Sequence, residues 1–164
     1  MSLISFVKEA GEKLFGRGHA QAATPEAAPA ADNAAASNAA AADAIVCYIK
    51  SQNLSATGLT VTFDGATSTV TVYGVAPDQA TKEKIALCCG NVAGVEKVNN
   101  MMSVDQSAPE AKYYTVVAGD NLSKISKAQY GDPNKYTTIF EANKPMLKDP
   151  DKIYPGQVLR IPPL

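Results

Sequence analysis

The spacing of apolar residues switches between helical and strand periods along this chain. Ala42, Ile45, Val46 and Ile49 fall on one helical face, which predicts a helix ending near Asn53. Leu59–Phe63 and Thr69–Tyr73 alternate apolar and polar residues around a turn at Asp64–Ser68, the pattern of a β-hairpin. Gly74 to Pro77 breaks the pattern, Asp78 can cap a helix running to Cys89, and Gly90 stands where a left-handed residue closes a helix. Val92, Val95 and Val98 then lead into a last strand through Val104. Residues 39–105 thus read as one α-β-β-α-β domain.

After a linker over 106–112, residues 113–164 read as β-α-α-β. Tyr113–Val117 is the first strand, and Asp120 is placed to cap a helix carrying Leu122, Ile125 and Tyr130. Gly131 stops that helix. Asp132-Pro133 opens the next with a cap and a first-turn proline. Tyr136, Ile139 and Phe140 form its apolar stripe, Pro145 ends it, and Val158–Ile161 is the closing strand.

At the other end, Leu3, Val7, Ala10 and Leu14 recur at helical spacing with Phe6 beside them. Residues 1–16 therefore read as an amphipathic helix capped by Ser2 and closed by Gly16. Lys8, Glu9, Glu12 and Lys13 interrupt any run that could serve as an export signal, so the expected location is the cytoplasm. Residues 17–38 are mostly alanine with scattered Pro, Asn and Asp. They read as a flexible tether to about Asn33, with later alanines able to extend the next helix. The fold class expected is α+β.

Charge narrows the functions. With 15 basic and 16 acidic residues the net charge is -1, too little to hold nucleic acid or an anionic membrane. No apolar run reaches the ~18 residues of a membrane span. The three cysteines, Cys47, Cys88 and Cys89, read as buried small apolar residues. The lone histidine, His19, lies in the tether, out of reach of a nucleophile or a zinc set. No phosphate loop occurs, and Asp64-Gly65 lacks the carboxylate ladder of a calcium loop. These absences point away from an enzyme.

Val72-Tyr-Gly-Val75 and Gly90-Asn-Val-Ala-Gly-Val-Glu-Lys-Val98, in the α-β-β-α-β order, resemble the BON domain. Gly119-Asp-Asn-Leu-Ser123 and Tyr154-Pro-Gly-Gln157 resemble the LysM domain, with Asn121 where threonine is more usual. Together with Phe6-Val-Lys-Glu-Ala-Gly-Glu-Lys-Leu14 and Ile139-Phe-Glu-Ala-Asn-Lys-Pro-Met-Leu-Lys148, the whole chain is similar to the cytoplasmic BON–LysM potassium-binding proteins of Gram-negative bacteria.

That resemblance implies a potassium ion as ligand, a monomer that compacts on binding it, and a role as ion sensor or buffer. A further protein partner stays open. Potassium is selected by several backbone carbonyl dipoles rather than by carboxylates, and helix C-termini supply such carbonyls. The resemblance favours the BON region, where the turn after Cys89 carries two glycines. The expected ligands are the carbonyls of Val7 and Ala10, from an N-terminal helix docked there, and of Gly90, Val92 and Val95. The alternatives are a phospholipid-associated module, as BON domains are often assigned, or an envelope protein binding peptidoglycan. For the latter, LysM resemblance implies glycan contacts at Gly119, Asp120, Asn121, Leu122, Ile153 and Tyr154.

Overall fold

The structure is a computed structural model that describes residues 2–5 and 31–164. It is an α+β chain of two packed modules, in the element order expected for 39–164 apart from the details below.

Helix α1 (Ala31–Ser51) starts within the alanine-rich stretch and buries Ala42, Ile45 and Ile49. Strands β2 (Thr57–Asp64) and β3 (Thr69–Asp78) form the hairpin, with Val61 opposite Val72 and Phe63 opposite Val70. Asp64 holds the turn between them. Its carboxylate accepts from the Ala66 amide at 3.0 Å and the Thr67 hydroxyl at 2.8 Å. A carboxylate engaged in its own turn is doing the work of an Asx turn, as the hairpin reading requires.

Helix α2 (Gln79–Gly90) begins at Asp78, whose side chain accepts from the Thr81 amide. The single last strand expected from Val92 onward is two short ones. β4 (Lys97–Asn100) and β5 (Ser103–Gln106) pair in turn with the first and second halves of β3, both parallel to it. Val92 and Val95 precede the strand and are buried in a turn. Helices α1 and α2 cover the sheet face that carries Val61, Val70, Val72 and Val98.

One expectation is corrected at the N-terminus. Ser2–Ser5 is not the first turn of a helix but a strand, β1, antiparallel to β4 with Ser2 opposite Asn100 and Ser5 opposite Lys97. Pairing with β1 satisfies backbone groups that β4 would otherwise leave open at the end of the sheet. The sheet order is β1-β4-β3-β2, with β5 continuing beside β3. The remainder of the expected helix lies outside the described residues.

In the second module β6 (Lys112–Thr115) pairs antiparallel with β7 (Val158–Ile161). Helix α3 (Leu122–Tyr130) ends at Gly131, left-handed at φ 77°, whose amide donates to the Lys127 carbonyl. The 3-10 turn Pro133–Lys135 leads into α4 (Tyr136–Ala142). The cap of α3 is Asn121, not Asp120. Asn121 accepts from the Lys124 amide at 2.8 Å, while Asp120 accepts from the Tyr114 hydroxyl and the Val117 amide. Leu122, Ile125, Ile139, Leu147, Leu159 and Ile161 close the module's core.

Candidate functional site

The turn after α2 is built by backbone hydrogen bonds. The Asn91 amide donates back to the Leu87 carbonyl at 2.8 Å. Across a trans peptide the C=O and N–H point in opposite directions, so the Gly90 carbonyl is directed off the C-terminal end of α2. That is the negative end of the helix dipole. The Val95 amide donates to the Val92 carbonyl at 3.1 Å, closing a four-residue turn that leaves Val92 oxygen a second lone pair. Gly94 takes the third position with φ 101°, a left-handed backbone that glycine adopts without the strain of a Cβ. Gly90 itself ends α2 and is not the left-handed residue of the segment.

The exit of the turn is anchored to the hairpin. The Ser68 carbonyl accepts from both Glu96 and Lys97 amides, at 2.8 and 3.2 Å. By the same trans-peptide geometry the Val95 carbonyl points away from Ser68. Three of the five expected ligands, Gly90, Val92 and Val95, are buried residues of one short turn whose other residues are half-buried. Val7 and Ala10 lie outside the described residues. Strand β1 nevertheless ends at Ser5, opposite Lys97, so its C-terminal end is the end nearest this turn.

The turn is also fastened to the second module. The Asn91 carboxamide donates through Nδ2 to the Val158 carbonyl at 2.8 Å and accepts through Oδ1 from the Val158 amide at 2.9 Å. Next to it, α2 packs on β7, and Val158, Tyr113 and Met146 join the apolar core of the first module. Glu83 of α2 and Arg160 of β7 form a buried ion pair across the same junction. Burial, followed by the Glu83 carboxylate, pushes the Tyr113 phenol above its ordinary range, and burial pulls the Lys84 ammonium below its own. Sequence reasoning missed Asn91, Glu83 and Arg160. The one available signal was an arginine inside an otherwise apolar strand, Val-Leu-Arg-Ile.

The residues expected for glycan are more dispersed. Asn121 and Leu122 line a groove of about 360 Å³ with Ser123, Tyr136, Pro150 and Asp151. Tyr154 lines a different groove, of about 290 Å³, between the two modules. Gly119 is left-handed at φ 87° and accepts from Lys124 Nζ at 2.9 Å, Asp120 holds Tyr114, and Ile153 packs on the core. Of the cysteines, Cys88 and Cys89 are buried, but Cys47 is exposed, against expectation. Among the described residues no helix is long and apolar enough to cross a membrane.

These features define a protein in which a BON module and a LysM module are packed through a shared helix–strand junction. The family models agree: a BON domain matches residues 48–106 and a LysM domain residues 114–162. The chain is 40% identical over 166 residues, spanning 99% of both chains, to a protein of Escherichia coli O6:H1 named potassium binding protein Kbp. It belongs to the Kbp family. It is also similar, at 51% identity over 49 residues, to an uncharacterized protein of Deinococcus radiodurans, of which the match covers 19%.

Proposed function

We propose that this chain binds potassium selectively in the cytoplasm, without catalytic activity, and acts as a sensor or buffer of the ion. The name of the Escherichia coli relative supports the ligand. The observation that carries the proposed site is the register of β1. With Ser5 opposite Lys97, Val7 follows two residues after Ser5 while Val95 precedes Lys97 by two. Two residues span at most about 7 Å, and this closeness along both chains supports counting the Val7 carbonyl with those of Gly90, Val92 and Val95 in the proposed site.

In the proposed site an ion held by neutral carbonyls at a helix C-terminus is attracted by backbone dipoles, the ligand type that selects potassium, without the carboxylates that favour divalent ions. Closure of the ring by the N-terminal segment makes ion binding and docking of that segment one event. Compaction follows by mass action. Potassium acts on a body whose two modules are already joined at α2 and β7, so the change is a tightening of the N-terminal segment and turn rather than a meeting of separate domains. Titration of the full chain with potassium and sodium chlorides at equal ionic strength, read by thermal stability and hydrodynamic radius, tests this.

The second reading is glycan binding by the LysM module, and the groove at Asn121, Leu122 and Asp151 favours it. Amide-proton shifts of Asn121 and Leu122 on addition of N-acetylglucosamine oligomers decide between occupied and vestigial grooves. Fractionation of the protein outside the inner membrane would overturn the cytoplasmic assignment.

A further inference from the structure

Two asparagines close the free edge of β7. Alternate residues of a strand direct their backbone groups to the same side, and Val158 and Arg160 present theirs on one edge. Asn143, at the end of α4, donates to the Arg160 carbonyl at 2.9 Å and accepts from its amide at 2.7 Å. Asn91 makes the same pair of bonds to Val158. Each carboxamide stands in for the peptide group of a missing neighbouring strand. One clamp belongs to the LysM module itself; the other reaches across from the BON turn.

We propose that Asn91 is a positioning residue for the cation: its carboxamide fixes the turn to β7, and through it the directions of the flanking Gly90 and Val92 carbonyls. The inference rests on the reading of this turn as the potassium site. Asn91 lies between the two proposed ligands, so a rotation of its backbone re-aims both carbonyls. Its φ of -82° and ψ of 28° are held from two sides, by the amide bond to Leu87 and by the two side-chain bonds to Val158. Both the size of a carbonyl cage and the number of dipoles aimed at the ion bear on its preference among cations, and re-aiming two carbonyls changes both. Selectivity in the BON turn is then coupled to a backbone edge in the LysM module, and by linkage the ion strengthens the Asn91–Val158 contact.

The test compares Asn91→Ala with Asn143→Ala in the full chain, measuring affinities for potassium and for sodium by calorimetry. Asn91→Ala is expected to weaken potassium binding about tenfold, the size of an ordinary coupling between two linked sites, and to lower the potassium-to-sodium affinity ratio. Asn143→Ala removes the same chemistry from the same strand and is expected to lower stability without changing that ratio. A wild-type chain that treats the two ions alike overturns the site and this proposal together. A wild type that prefers potassium beside an Asn91→Ala variant with an unchanged ratio overturns this proposal alone. Should Asn91→Ala not fold, hydrogen exchange of the Val158 amide in the wild type decides. Protection that rises with potassium and not with sodium supports the coupling, and protection indifferent to potassium refutes it.

Discussion

Glu83 and Arg160 form a buried ion pair that joins α2 of one module to β7 of the other. Arg160 Nε donates to Oε2 of Glu83, and the other carboxylate oxygen accepts from Gln79 Nε2 and from the Ala111 amide, each at 2.9 Å. One carboxylate thus gathers its own helix, the linker and the closing strand. Removing it strands a buried guanidinium and an amide. Glu83→Ala is expected to cost about 3–5 kcal/mol, whereas replacing both partners by methionine costs much less. Urea unfolding of the two variants measures the difference; equal losses would mean that the charge pairing is not what holds the junction.

Gly94 takes φ 101°, a conformation that side chains with a Cβ rarely adopt. Gly94→Ala is expected to destabilise the chain by about 1–3 kcal/mol and to weaken potassium binding beyond what stability explains, because the adjoining Val95 carbonyl shifts with the turn. Gly131→Ala, at a helix end in the other module, provides a strained comparison that leaves the ion response intact. Calorimetry on both variants gives the outcome.

The thiols give a pH prediction. Burial pushes Cys89 from its ordinary value of 9.0 up to about 12, and Cys88 also rises. In the unfolded chain a thiol ionises above pH 9, while the folded chain keeps the Cys89 proton until about pH 12. The folded state therefore holds more protons across that window, and stability falls as pH rises through it. For one thiol the slope is about 1.4 kcal/mol per pH unit. Cys89→Ala is expected to flatten the dependence by that amount between pH 9.5 and 11, roughly. In the native protein a thiol reagent should modify Cys47 and spare the buried pair.

Deleting residues 2–15 removes β1 and is expected to abolish the potassium response while both modules remain folded, since among the described residues the core side chains lie within 42–158 and 116–161. Circular dichroism checks the fold and calorimetry the ion. Retained affinity would remove Val7 and Ala10 from the site.

Much of this architecture was legible because it follows from local periodicity. The hairpin turn, the Asp78 cap of α2 and the Gly131 stop rest on contacts within a few residues, and the strand Val158–Ile161 shows as a short apolar run before a proline. The misreadings have a different origin. Ser-Leu-Ile-Ser is too short to show a period, and its strand state depends on β4, distant in sequence. Asp120 and Asn121 are both good caps, and the Tyr114 hydroxyl and Val117 amide engage Asp120, leaving Asn121 to cap the helix. Gly90 and Gly94 were equally able to take positive φ; Gly90 stays within α2, and Gly94 takes it in the turn closed from Val95 to Val92. Of the candidate site the glycines announce the turn, while the backbone carbonyls proposed as ligands leave no side-chain signature. The grip of Asn91 on Val158 could not be read at all, because an asparagine in a turn is ordinary until its partner strand is in place.

The most direct measurement is thermal unfolding of the full chain, with hydrodynamic radius in parallel, in potassium, sodium and calcium chlorides at matched ionic strength. At potassium a hundredfold above its dissociation constant the chain is expected to gain about 2.7 kcal/mol of stability, a rise of roughly 5–10 °C, with a smaller radius. Sodium and calcium should do little. An equal response to sodium and potassium would contradict selective binding by a carbonyl cage.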